Sequence, residues 1–185
     1  MKTSPRKWRR IDLRVTNWMA EHGPLLLRWS MGGIFLWFGL LKFFPGLSPA
    51  ENLAARTVEK LSFGTLVPPD SLLFIALLET AIGIGLLSKV FLRGTLFLLL
   101  LQLIGTLSPL LFFPEELFIV FPWAPTLEGQ YIIKNLILIS AALVIGATVR
   151  GGTVIPDPKI ADLGRKRIEM EKRGVVLRRT YRRAH

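Results

Sequence analysis

The chain contains no cysteine and only two histidines, His22 and His185, neither inside an apolar run. The first absence excludes disulfides, thiolate metal sites and CxxC redox chemistry. The second excludes a haem held between two histidines within a helical bundle, and no metal site is expected. Charge is scarce through the middle of the chain. The 24 Lys and Arg and 13 Asp and Glu gather toward the two ends and leave long apolar runs between them. With 51% hydrophobic residues, that distribution belongs to a membrane protein and not to a soluble domain. A formal net charge of +11 would point to nucleic acid in a soluble protein. Here the basic residues flank apolar runs, so orientation and anionic lipid account for them, and no nucleic-acid partner is expected.

Four runs are long enough to cross a bilayer, whose hydrocarbon core of roughly 30 Å needs about 20 helical residues. They are expected at about 25–44, 72–88, 94–113 and 131–149. Ahead of them, Trp8, Ile11, Val15, Trp18 and Met19 recur at helical spacing, with Arg9, Arg10 and Arg14 elsewhere around the turn. This predicts an amphipathic helix lying in the membrane interface. His22-Gly23-Pro24 is expected to break it, with Pro24 opening the first span. The predicted architecture is all-α: an antiparallel bundle of four transmembrane helices, an N-terminal interfacial amphipathic helix and two long outer loops. Residues 1–24 form the basic interfacial segment, 25–150 the membrane domain and 151–185 a basic tail, with an amphipathic helix over 158–173 or a solvated tail as equal readings.

The first long loop, 45–71, carries Ser48-Pro49-Ala50-Glu51, which reads as a capping box opening a short helix to about Leu61. The second, 114–130, has three acids, no base and three prolines, with Phe118, Phe121 and Trp123. It is expected to fold as a cap onto the outer interface. Pro109 is expected to kink or end the third span. Only the residues from Lys89 to Arg93 separate the second and third spans, which makes them a hairpin.

Orientation follows from Lys and Arg. The segment up to Pro24 holds six, the 89–93 connection two and the segment from Arg150 onward eleven, against two in the long loops, Arg56 and Lys60. Both termini are therefore expected in the cytoplasm and both long loops outside, in a membrane of the bacterial inner-membrane type.

Glu79 stands near the middle of an otherwise apolar span, where an acid costs at least ~2.5 kcal/mol and usually faces a partner or a watery cavity. Counting about 1.5 Å per residue places Lys42, Glu79, Gln102, Lys134 and Asn135 all in the outer half of the membrane, one or two from each span. Arg28 lies toward the cytoplasmic side. Glu79 is expected to pair with Lys42 or with Lys134, while Gln102 and Asn135 complete the hydrogen bonding. Two readings stay open: structural glue or snorkelling lysines, and a pocket closed by the aromatic outer loops.

The segments RWSMGGIFLWFGLLKF (28–43), ALLETAIGIGLLSKVFLRG (76–94) and EGQYIIKNLILISAAL (128–143) resemble the DoxX/DoxD superfamily of small four-helix membrane proteins. Gly39, Lys42, Glu79, Gly83, Lys134 and Asn135 fall on its motif positions. The resemblance implies a redox-associated membrane subunit, an assembly or chaperone-like factor, or a subunit like those of thiosulfate:quinone oxidoreductase. Thiol-based mechanisms do not carry over to a chain without cysteine. The expected function is then a membrane redox subunit binding a quinone-like or other lipophilic ligand, with Glu79 as the candidate catalytic proton carrier and no intrinsic cofactor. The alternatives are a non-catalytic accessory or assembly factor in a larger complex and, with less support, a small-solute transporter acting as an oligomer.

Overall fold

A computed structural model describes residues 5–152, 154–157, 160 and 163. The elements in order are α1 (Pro5–Leu41), α2 (Glu51–Leu61), α3 (Asp70–Ser88), α4 (Leu92–Leu107), α5 (Pro109–Phe112), α6 (Pro114–Leu117), β1 (Phe118–Val120), β2 (Ala124–Pro125) and α7 (Leu127–Thr148). Four helical stretches are long and apolar enough to span a membrane: Ile11–Leu41, Asp70–Ser88, Leu92–Phe112 and Leu127–Thr148. At most a third of any of these stretches is buried within the protein. The large apolar remainder faces outward, as in a multi-pass membrane protein.

Residues Gly23–Gly152 form one compact unit, and the terminal segments Met1–His22 and Thr153–His185 belong to a second. In that second unit the expected amphipathic segment is helical, and Trp8, Ile11, Val15, Trp18 and Met19 are all exposed. The His22 ring stacks on Trp18, 5.1 Å between centroids. The expected break at His22-Gly23-Pro24 does not occur, since Pro24 lies inside α1. Proline deletes one N–H from the ladder, which a helix in an apolar setting tolerates through its neighbours and small local adjustments. The helix expected over 158–173 lies outside the described residues, apart from Ile160 and Leu163.

Within the main unit, glycine sets the closest helix contact. A Cβ on Gly83 would stand 2.5 Å from the Leu36 nitrogen, and one on Gly39 would stand 2.7 Å from the Thr80 nitrogen. One on Gly32 would press on Leu86 and Leu87. Residues 32, 36 and 39 of α1 thus meet residues 86, 83 and 80 of α3 in reverse order, so the two helices are antiparallel and nearly backbone to backbone. Small residues give a membrane helix pair this approach, where packing and not hydrophobicity drives association. The hairpin through Lys89 turns α3 into α4, whose Thr95 and Gln102 face Gly85 and Glu79. The core shared by the spans contains Met31 and Phe35, Ile82 and Leu86, Leu96, Leu99 and Leu103, and Ala141, Ala142 and Ile145. Each span supplies part of it.

Where the long loops meet the bundle, a second core joins Leu53 of α2, Leu117 of α6 and Ile132 of α7. The helix expected to end near Leu61 does so. Its capping box does not form. The helix starts after Ala50, which is left-handed at φ 53°, and Ser48 Oγ turns to the Pro49 carbonyl at 3.4 Å. Glu51 Oε2 accepts from the Gly46 N–H at 2.9 Å, closing the turn before the helix instead of the helix end itself. Around Pro109, the ring cannot continue the ladder. There α4 ends at Leu107 and the short α5 resumes, with Ser108 Oγ donating to the Gly105 carbonyl at 2.6 Å. The second loop is a short antiparallel hairpin, β1 with β2. Thr126 ties it to α7, donating to the Glu116 carbonyl and accepting from the Gly129 N–H as the helix cap.

Candidate functional site

Lys42 follows directly on α1, and the Gly39 contact draws that end of the helix against α3. Lys42 Nζ therefore reaches Glu79, donating to Oε2 at 2.7 Å. From the opposite side, across the α3–α4 hairpin, Gln102 Nε2 donates to Glu79 Oε1 at 3.0 Å. Both carboxylate oxygens are occupied, and the Lys42 and Glu79 side chains are each only 12% exposed. Donation to both oxygens is what a carboxylate needs in a medium that solvates charge poorly.

These three side chains sit at one end of a cavity of about 510 Å³ bounded by α2, α3 and α4. From α2 come Leu53, Ala54, Thr57, Val58 and Leu61, one face of a helix that packs against both α3 and α4. Four hydroxyl residues also line the cavity, but each is committed to its own backbone. Thr57 donates to the Leu53 carbonyl, Ser62 to Glu59, Thr106 to Gln102 and Ser108 to Gly105. The wall is therefore apolar except at Lys42, Glu79 and Gln102. There, two of the three ammonium protons and the Gln102 amide oxygen have no partner among the described residues. The cavity thus offers an apolar chamber with a donor and an acceptor at one end.

Of the residues expected to converge, Lys42, Glu79 and Gln102 do so, and Lys42 is the ion-pair partner. Lys134 and Asn135 do not line the cavity. Lys134 is exposed, its Nζ 5.5 Å above the ring of Tyr131. Depth along a helix is not direction around it. At 100° per residue, Lys134 stands about 200° from Ile132, the α7 residue that does reach the cavity. Arg28 lies well away, buried at the far end of α3, where it donates to the Leu86 carbonyl and, at 3.2 Å, to that of Leu87. There it satisfies carbonyls that the helix end leaves free.

The cover of the cavity comes from only the first of the two outer loops. The aromatic residues of the second loop do not close it, for Phe121 and Trp123 are exposed and none of Phe118, Phe121 and Trp123 lines it. The cover is α2, and the second loop holds α2 in place. Arg56 clasps Glu116 with two hydrogen bonds, 2.8 and 2.5 Å, and lies 4.9 Å above the Phe113 ring. Lys60, one turn on, sits 5.0 Å from Phe112 and 5.1 Å from Phe113. The two bases of the long loops are thus both spent on this clasp. Hydrogen bonding from Arg56, and its charge, hold the Glu116 carboxyl below the usual carboxylate range.

Among the described residues, no group of three or more His, Asp or Glu is placed to hold a metal ion. No protein-family description, curated protein or solved structure matches the chain.

Proposed function

We propose that the protein is a redox-associated membrane subunit that binds a quinone-like lipophile in the cavity between α2, α3 and α4. One observation carries this reading: an apolar chamber of ligand size whose polar groups converge at a single end. Lys42 would donate to a carbonyl oxygen of the ligand, and Gln102 would accept from its hydroxyl form. Glu79, already hydrogen-bonded to both, would take or give the proton as the head group changes state. The chain carries no redox centre of its own, so electrons come from a partner protein or from a second substrate. The resemblance to DoxX/DoxD proteins belongs to this same proposal, since Gly39, Lys42, Glu79 and Gly83 are the residues that build the α1–α3 contact and its polar end. The test is titration of a short-chain quinone into the full-length protein in nanodiscs, against Glu79→Gln. Affinity is expected to fall at least tenfold while the variant remains folded and monodisperse. Unchanged affinity overturns the reading.

The charge distribution supports cytoplasmic termini in a bacterial-type inner membrane, which puts the cavity in the outer half of the bilayer, and basic ends that lean on anionic lipid. With no native cysteine, a Glu128→Cys variant tests this. It should react with a membrane-impermeant maleimide from outside in intact cells, and labelling only after the membrane is opened overturns the orientation.

A second reading, an accessory or assembly subunit of a larger complex, is favoured by the β1–β2 hairpin. Ile119 is 76% exposed, Phe121 67% and Trp123 85%, an apolar tip that a partner subunit would cover. Purification in mild detergent should then recover a stoichiometric partner that Trp123→Ser loses. Recovery of the chain alone, or as copies of itself, counts against it.

A further inference from the structure

The cavity has two sides, and they are not equivalent. Over one side lies α2, clasped by Arg56–Glu116 and by Lys60 on its two phenylalanines. Along its flank, the lining residues Phe74 of α3 and Leu101 and Ile104 of α4 are 49%, 55% and 65% exposed. All three belong to stretches long and apolar enough to cross a membrane. In a bilayer their exposed faces meet acyl chains, not water, so the open flank of the cavity is continuous with lipid. Charge is the other constraint. Lys42 and Glu79 are in direct contact at 2.7 Å and cancel. Every other lining residue is uncharged, so the polar end carries no net charge. An ionised head group placed there would have no counter-charge, in surroundings where an unpaired ion is costly.

We infer that the cavity exchanges its ligand directly with the bilayer, through the flank lined by Phe74, Leu101 and Ile104, and selects amphiphiles with an uncharged, hydrogen-bonding head. This rests on the proposed ligand-binding role and narrows it. The ligand is one that already resides in the membrane, and free fatty-acid anions, phospholipids and quaternary amines are excluded by charge. The clasp of α2 keeps water from the ion pair while leaving the flank free. The donor of Lys42 and the acceptor of Gln102 together fit a hydroxyl or carbonyl head and offer nothing specific to a purely hydrocarbon molecule.

The experiment uses the full-length protein in nanodiscs and three probes of equal chain length: octadecanol, octadecyl sulfate and octadecyltrimethylammonium. Each competes against a fluorescent long-chain alcohol. Octadecanol is expected to displace the tracer at least tenfold more effectively than either ion. In addition, Ile104→Cys carrying a bulky maleimide should slow tracer uptake at least tenfold. The same label on Leu143→Cys, an exposed position on α7, should leave uptake unchanged. Equal competition by the sulfate or the ammonium overturns the selectivity while the ligand site itself stands. Equal uptake with and without the label at 104 overturns the lateral route. Failure of every probe, tracer included, to bind overturns both this inference and the ligand-binding role beneath it. The head-group series needs no mutation, so a poorly folding variant leaves it intact.

Discussion

Two acid–base pairs hold this molecule at the same end, and they differ in almost everything but their chemistry. Lys42–Glu79 lies between spans, one contact at 2.7 Å with both side chains 12% exposed. Arg56–Glu116 lies between loops, a two-pronged contact with side chains 39% and 48% exposed. In the loop pair, the guanidinium fork matches the carboxylate and water competes for both. In the span pair there is little water to compete, so attraction is strong, but desolvation cancels much of it. Under the proposed function, the loop pair is for holding and the span pair is for use. The loop pair spends its best donors on one partner and clasps α2. The span pair, with Gln102, lines a cavity and leaves Lys42 donors and the Gln102 amide oxygen without partners among the described residues, which is a poor way to build stability and a reasonable way to build a site.

The largest effect should come from halving the span pair. Lys42→Met leaves the Glu79 carboxylate with Gln102 alone in apolar surroundings, and removing one partner of a buried pair costs about 3–5 kcal/mol. The double variant Lys42→Met/Glu79→Leu removes the orphaned charge and should regain most of that loss, since a buried pair replaced by packed apolar groups is often near neutral. Thermal unfolding in a lipid-like detergent measures both. If the double variant is as unstable as the single one, the pair is structural and the distinction between the two pairs collapses.

A smaller effect separates the pair from its scaffold. Gly39→Ala would set a Cβ 2.7 Å from the Thr80 nitrogen and 3.1 Å from the Glu79 carbonyl carbon. Those are backbone atoms, so α1 must back away and carry Lys42 with it, at a cost of about 1–3 kcal/mol. Gly33→Ala meets nothing within 4 Å and should change stability by less than about 1 kcal/mol, toward stabilisation if anything. Ligand affinity should fall with Gly39→Ala and hold with Gly33→Ala. Equal behaviour of the two would mean that the α1–α3 approach does not set the geometry of the span pair.

How far each pair could be read beforehand follows from the same contrast. Lys42, Glu79 and Gln102 were legible because a polar side chain in an apolar run is conspicuous and its depth follows from counting. Lys134 and Asn135 were equally conspicuous and fall in the same half of the membrane, yet depth fixes only height: Lys134 points about 200° away from Ile132, while Asn135, only about 60° from it, is absent from the cavity for a reason that helix direction does not supply. The clasp was illegible for the opposite reason. Arg56 and Glu116 are ordinary residues in polar-tolerant loops, sixty positions apart, and nothing in their local pattern pairs them. The role of α2 was half visible, since 53, 54, 57, 58 and 61 form one helical face. What that face covers depends on how α2 packs against α3 and α4, a tertiary fact. The failed capping box and the unbroken α1 are local rules overruled in the same way. A carboxylate at 51 found a nearer N–H, and a proline at 24 sits in a helix that tolerates the missing bond.

The smallest effect is the one that marks the loop pair as solvent-exposed. Glu116 has its carboxyl held below the ordinary value near 4.5, chiefly by hydrogen bonding to Arg56. A carboxyl depressed in the folded state contributes its full share above its unfolded value and loses that share as pH falls through its folded value. The clasp should thus hold at neutral pH and weaken below about pH 4.5, the unfolded-state value, with the loss completed at more acid pH. Salt should weaken it too, because charges near water are screened over about 8–10 Å at physiological ionic strength. Arg56→Ala is expected to lower the melting temperature by only about 1–3 °C, and to flatten the acid and salt dependence that the wild type shows. Ligand exchange, by contrast, should quicken more than stability falls, because α2 loosens without the bundle opening. If salt and acid act equally on Arg56→Ala and wild type, then α2 is held by the packing of Leu53 with Leu117 and Ile132, and the charges on its far side are incidental to it.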